Sequence, residues 1–326
     1  MATSPKYTSN KDWIDLWKSN RIAGIKQQIP YGLGTTEEPT PPVETYHLLT
    51  EALFEILTEA GENLDYDVYT PPPFDADAAA YLSAVISAGG SVDATISGAT
   101  DTLFTSLKSA GLYSKISIMY PLLGGTGNSH SINALDPTST TYDITFAGTM
   151  THSVSGTTGG AVNGAYGKVS YNSSNLATNN MSVGVYSNKV VSPGGGGWYD
   201  WGWWNGGFGI DGIIQFASGT LSAYFRTGGS YLSVSNANST GMYIWNADAT
   251  GKQIYRNGSV LTSDSDTTWN NPNLADLYLW SLGVNNQNSG RRFAFYYLGT
   301  KLTSGEVSTL STIINTFQTS LGRNTY

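Results

Sequence analysis

Three kinds of side chain in this sequence could do chemistry: carboxylates, histidines and a dense group of tryptophans. Paired carboxylates would serve glycosidic-bond hydrolysis, in which a protonated acid and an ionised partner must flank one bond. Residues 113–326 hold a single Glu, Glu306, and its place three residues after Thr303 marks it as a helix-capping group. The aspartates make no better pair. Asp200 and Asp211 lie eleven residues apart, and Asp264 and Asp266 fall in a Ser, Asp, Thr stretch that reads as a turn. Of the three histidines, His47 belongs to an acidic helical stretch, while His130 in GGTGNSHS and His152 in MTHSVSG each follow a strand-like run. These last two could meet in space and bind a metal, but no His-x-His or His-x-x-x-His spacing requires it, and a structural or solvent-facing role is the plainer reading. The chain has no Cys, which removes thiolate ligands, disulfides and a Cys nucleophile. Neither a Gly-x-Ser-x-Gly elbow nor a phosphate loop is present, since Gly194 to Gly197 are not followed by Lys-Ser/Thr. The inventory predicts no enzyme, no cofactor and no metal.

The tryptophans are more suggestive. In GGGGWYDWGWWNGGFG, residues 194–209, the rings of Trp198, Tyr199, Trp201, Trp203, Trp204 and Phe208 crowd a glycine-rich stretch that reads as a loop. Such rings can close the end of a fold, anchor an oligomer interface or stack on sugar faces, and all three readings stay open. A second group, Trp13, Ile14, Leu16 and Trp17, sits on a short helix that cannot form a core of its own. It either packs back on the chain or docks on a partner protein. Five cations spread over residues 1–30 are too dispersed for a membrane patch.

The elements that must position these residues fall into two classes. Residues 31–44, with Pro39, Pro41 and Pro42, form an extended linker. Helical periodicity follows over 45–61, 75–88 and 93–110, the last ended by Gly111. From Leu112 onward the pattern becomes short alternating runs separated by Gly, Asn and Ser. Strands are predicted at 113–120, 141–149, 166–171, 181–187, 211–217, 221–226, 241–246, 252–261, 276–284 and 292–299. Their spacing, without intervening helices, predicts a two-sheet sandwich with a core large enough to stand without disulfides. The last strand, RFAFYYLGT, hands over to one amphipathic helix in which Val307, Leu310, Ile313, Ile314, Phe317 and Leu321 share a face. Thr303 and Glu306 open that helix with a capping box, and Gly322 stops it. The domain reading is thus 1–44 as arm and linker, 45–112 as a helical subdomain or a collar on the sheet, and 113–326 as the sandwich.

Composition narrows the setting. Charged residues make up only 12% of the chain, about half the usual share, and Gly numbers 38. Net charge is uneven: +3 over residues 1–30, −12 over 31–112 and +1 over 113–326, summing to −8. Three regions of different charge suggest three jobs, and the overall acidity argues against nucleic-acid binding. No apolar run reaches membrane-spanning length. Charged and polar residues interrupt every apolar cluster before Pro30, so no signal peptide is expected. Work outside a cell would then follow particle assembly and lysis.

Several segments resemble known modules. KQIYRNGSVL, residues 252–261, is similar to the strand-turn-strand of concanavalin A-like and laminin G-like modules, and Asn257-Gly258 suits a type I′ hairpin. The strand and helix of 292–323 resemble the close of the same modules. An ordered set of four segments, PFDADAAAYLSAV, SLKSAGLYSKISIMYPLLGG, THSVSGTTGGAVNGAYGKVSY and INTFQTSLGR, resembles a domain in virion proteins of tailed bacteriophages, especially those infecting Bacteroidetes. It spans about residues 74–323 and leaves 1–73 uncovered. The resemblance implies a concanavalin A-like jelly-roll sandwich with an N-terminal helical subdomain, carried on a virion as capsid decoration, head fibre, collar or tail component. It further implies a homo-oligomer, with trimers common among users of this fold, docked to other virion proteins through the arm. A surface glycan is the alternative partner. Calcium occurs in relatives of the fold, but no dense Asp/Asn spacing supports it here.

Overall fold

The computed structural model describes residues 74–160, 164–175, 180–190, 199–204, 209–215, 219–224, 231–265, 276–283 and 288–325. The arm residues Trp13, Ile14, Leu16 and Trp17, His47, the linker and Trp198 lie outside these.

Two helices come first. In α1, Ala76–Ser87, the carboxylate of Asp75 accepts from the N–H groups of Asp77 and Ala78. In α2, Ala94–Ser109, Asp93 caps through Ile96 N–H, and Gly111 at φ +67° turns the chain out. Their apolar stripes carry Tyr81, Leu82, Val85, Leu103, Phe104 and Leu107, all buried.

Fifteen strands follow among the described residues: β1 Ile116–Tyr120, β2 Thr145–Ala147, β3 Thr151–Ser153, β4 Gly156–Thr158, β5 Tyr166–Val169, β6 Asn180–Ser187, β7 Trp201–Trp204, β8 Gly209–Ile213, β9 Thr220–Tyr224, β10 Tyr231–Ser235, β11 Gly241–Asp248, β12 Gly251–Arg256, β13 Ser259–Asp264, β14 Leu277–Leu279 and β15 Arg292–Gly299. A helical turn, α3 Gly127–His130, and a 3₁₀ turn, Ser173–Asn175, interrupt them, and α4, Ser304–Ser320, follows β15. The strands form two antiparallel sheets. Sheet A runs β13-β12-β11-β6-β15-β4-β3, with β1 paired to β15 beside β4; sheet B runs β10-β9-β8-β7-β14-β5-β2. This is the two-sheet sandwich that the strand spacing predicts.

Sheet A is buried on both faces. On β11, Tyr243, Trp245 and Ala247 join the core between the sheets, whereas Met242 and Ile244 alternate toward the helices. On β15, Phe293, Tyr296 and Leu298 face sheet B, while Phe295 and Tyr297 meet the helical layer. That layer includes Leu103, Phe104, Val307, Leu310, Ile314 and Phe317 from α2 and α4 in one cluster with those sheet residues. So α1 and α2 are a collar on the sheet, and the boundary expected at 112/113 does not separate two cores.

Local signals hold at several points. Asn257 at φ 51° and Gly258 at φ 81° give the β12–β13 hairpin the left-handed pair a type I′ turn needs. Thr303 and Glu306 make the capping box reciprocally. Differences lie where strands are short or flanked by glycine. Strands β3, β4, β7 and β10 were not expected, and residues 113–115 form a 3₁₀ turn instead of strand.

Candidate functional site

The two strand-end histidines do meet. His130 ends α3, whose N-terminus is fixed by a capping box between Thr126 and Ser129, and His152 lies in β3. Their rings are 5.3 Å apart between centroids. Gly125 N–H donates to His130 Nε2 at 3.2 Å, so a neutral His130 carries its proton on Nδ1. That nitrogen is 2.6 Å from Thr157 Oγ1, and the Thr157 hydroxyl is 3.1 Å from His152 Nδ1. With both rings neutral, His130 donates to Thr157 and Thr157 to His152. The bonds tie the 124–130 loop to the β3–β4 hairpin. Burial, with the nearby His152 and Arg323 charges, pulls the His130 pKa down to about 3, and burial also lowers His152. The ring nitrogens that face each other are already bonded, and among the described residues no three His, Cys, Asp or Glu gather as metal ligands.

A pH dependence follows. Below about pH 6.5 the unfolded chain binds a proton at His130, while the folded chain refuses it until about pH 3. Its contribution is therefore complete above pH 6.5 and is lost as pH falls, by up to about 1.4 kcal/mol per pH unit. Urea midpoints should drop across that window, and His130→Asn should flatten the drop. Equal slopes in the two proteins would remove this cluster as the cause.

The tryptophan stretch corrects the loop reading. Trp201 and Trp203 stand two apart on β7, a central strand of sheet B, and both are fully buried. They point into the core, with Trp201 edge-on to Trp245 at 5.5 Å and Trp203 Nε1 donating to the Tyr171 carbonyl at 2.9 Å. Neither can stack on a sugar or line an interface. Tyr199 is partly buried and bridges to Asn288, and Trp204 ends β7.

Asp200 and Asp211, which sequence spacing does not join as a pair, have separate surroundings in the structure. Asp200, wholly buried, binds Arg291 Nη1 at 3.0 and 3.1 Å and accepts from Ser289 Oγ and Ile214 N, each at 2.6 Å. Asp211 lies on the face of β8 opposite Trp201, against Gly202, and burial raises its carboxyl. The two share no partner.

One open cleft, about 530 Å³, combines six polar side chains with Ala249 and Leu302 in its lining. It sits where α4 begins over the ends of β6, β11 and β12, lined by Asn180, Asp248, Gln253, Lys301, Thr303 and Ser304 among others. The Lys301 ammonium bonds the Asp248 carboxylate, and Lys301 N–H donates to Asn180 Oδ1 at 2.7 Å. Tyr255, buried behind the lining, donates to Gln253 Oε1 at 2.6 Å and meets Ser304 Oγ at 3.1 Å. Burial alone would raise the Asp248 carboxyl, but Lys301 and Thr250 hold it below its usual range. A smaller cleft of about 190 Å³ adjoins it, sharing Gln253 and Lys301 and adding Lys252 and Asp264. Sequence reading missed this site because its residues come from positions 180, 248–253 and 301–304, far apart in the chain. The alternation of Gln253 with Tyr255 in KQIYRNG was the one local hint.

No family model matches this chain, and the search of curated proteins finds no match. Among solved structures, it is similar to domain 4 of AbnA, a GH43 extracellular arabinanase from Geobacillus stearothermophilus, in complex with arabinotriose. Identity there is 13%, covering 60% of this chain and 98% of that one, with a TM-score of 0.43. A botulinum neurotoxin type C structure, described by cell entry dependent on two ganglioside molecules, shares 12% identity over 63% of this chain, with a TM-score of 0.45. The binding domain of botulinum neurotoxin DC in complex with SialylT shares 13% over 61%, again at 0.45. This chain spans about half, 52%, of each of those two neurotoxin chains. The sheets of this chain establish the sandwich on their own.

Proposed function

We propose that this chain is a non-enzymatic virion component of a tailed bacteriophage, a lectin-like sandwich displayed outward and held on the particle by its N-terminal residues. The observation that carries the reading is where the chemistry-bearing groups of the sandwich go. His130 and His152 clasp a loop to a hairpin, and Asp200 neutralises Arg291. Glu306 caps α4 while bonding Lys115 at 2.5 Å, which ties that helix to the start of β1. Each is committed to joining elements, which suits a body made to persist and not to turn over substrate. The ordered resemblance to phage virion segments supports the setting.

Trp13, Ile14, Leu16 and Trp17 are the proposed anchors on a capsid, collar or tail protein, with the displayed body forming a homo-oligomer. Deleting residues 1–30 should leave the thermal transition of the sandwich in place yet remove the protein from purified particles, as read by mass spectrometry. Normal incorporation of the truncated chain would overturn the docking role. A second reading, glycan recognition, is favoured by the polar cleft.

A further inference from the structure

The geometry points to the cleft between α4 and the β11–β12 hairpin as a saccharide site for a neutral, hydroxyl-rich glycan; this rests on the glycan-recognition reading and places it away from the tryptophans. Three features of the cleft argue for that class.

The first is its inventory of free bonding groups. The carboxamide oxygens of Asn180 and Gln253 are taken, by Lys301 N–H and Tyr255 O–H. Their NH₂ groups make no bond among the described residues, so each keeps two donors on a side chain already held in place. Across from them, Asp248 accepts from Thr250 and Lys301 and retains acceptor capacity, and Ser304 Oγ can accept or donate. Donors and acceptors thus surround one space, as vicinal hydroxyls require. A purely cationic or anionic ligand would leave half of them unused.

The second is charge. Asp248 pairs with Lys301, and in the adjoining cleft Asp264 stands opposite Lys252 in the β12–β13 register. The four charges sum to zero within the joined trough. An acidic sugar would have to displace Lys301 from a carboxylate that stays ionised at neutral pH, while a neutral sugar meets no such opposition.

The third is size and openness. The larger cleft alone lies within the roughly 300–1,000 Å³ range of ligand sites. Leu302 is the largest apolar side chain of its lining, and no aromatic face lies along it, so a single site gains little apolar burial. Single-site affinity should be weak. Display of many copies raises apparent affinity without new contacts, by roughly 10²–10⁴ where geometry permits simultaneous engagement.

The test uses the full chain and two nearly isosteric variants. Asn180→Asp keeps the acceptor for Lys301 N–H and removes both donors; Gln253→Glu does the same for the bond from Tyr255. Wild-type protein, multimerised on a bead, is screened against an array of neutral and acidic oligosaccharides, and hits are titrated by NMR with monomeric protein. Neutral glycans should bind, acidic analogues at least tenfold more weakly, and each variant should lose tenfold or more with an unchanged thermal midpoint. Neutral-glycan binding equal in both variants would move the site elsewhere and leave the lectin-like reading standing. Equal binding of acidic analogues would overturn the ligand class alone. A wild-type chain that retains no glycan in either format would overturn the site and the reading together.

Discussion

Replacing Arg291 with Met is expected to lower the stability of the sandwich by about 3–5 kcal/mol, because it leaves a buried carboxylate without its partner. Asp200 precedes β7 in sheet B and Arg291 precedes β15 in sheet A, so their bond pins the two sheets at one end. Both are essentially excluded from water, at 0% and 1% exposure. Without the guanidinium, the buried Asp200 side chain loses its counter-charge and both bonds from Arg291 Nη1, and the Gln215 carbonyl loses its donor, Arg291 Nη2 at 2.6 Å. The surroundings give little room to relax. Trp280 donates from its backbone to Asp200 and from its ring to the Arg291 carbonyl, while stacking on Phe293 at 4.7 Å.

The asymmetry between breaking and replacing a buried pair supplies the control. Asp200→Asn combined with Arg291→Met removes both charges, yet an Asn can still accept from Ile214 N–H and donate to Ser289 Oγ. The double variant should recover at least half of the loss. For a domain of this size about 3–5 kcal/mol corresponds to a fall in melting temperature of roughly 10 °C. A single variant within about 1 kcal/mol of the native protein would show that the pair contributes no more than an exposed one.

Neither partner was legible as a pair, and the reason is distance along the chain. Positions 200 and 291 meet only because β7 and β15 belong to facing sheets. Periodicity reports which face of an element is apolar, not which loops converge. The same limit hid Thr157, the hydroxyl that joins His130 to His152; the sequence allowed the two rings to meet but put both after strands, whereas His130 ends α3 and His152 lies within β3. By contrast, the closing strand and helix were readable almost residue by residue. There the code is local: alternating aromatics, a Thr-x-x-Glu start and a Gly stop. The tryptophans show how a local signal can be masked. Trp201 and Trp203 at a spacing of two are a strand signature for a buried face, but the glycines around them read as a loop and drew attention to surface roles.

The last residues carry the second large effect. Helix α4 ends in a Schellman arrangement: Gly322 N–H donates to the Thr319 carbonyl and Arg323 N–H to that of Gln318, at 3.0 and 2.8 Å. Gly322, at φ +64°, thereby turns the Arg323 side chain back into the protein. Its guanidinium donates to the carbonyls of Leu122, Pro121 and Ala294 and to Gln318 Oε1, over the Phe317 ring. One side chain thus joins α4, the exit of β1 and the middle of β15. It also gives a physical reason for SLKSAGLYSKISIMYPLLGG and INTFQTSLGR to occur together, since the end of each meets at this bond set. Burial without a carboxylate partner lowers the Arg323 pKa to about 10, still charged at neutral pH. Arg323→Met should remove about 3–5 kcal/mol, because the buried carbonyls of Pro121 and Leu122 lose their donor. Arg323→Lys should restore little, since an ammonium cannot span four acceptors as a planar fork does. A further readout separates this role from lost packing. Arg323 helps keep His130 uncharged, so in Arg323→Met the His130 pKa moves back toward 6.5 and the acid loss of stability becomes shallower. Urea titrations of the two proteins at several pH values would show the lines converging as pH falls; parallel lines would mean that the cation and the histidine do not communicate.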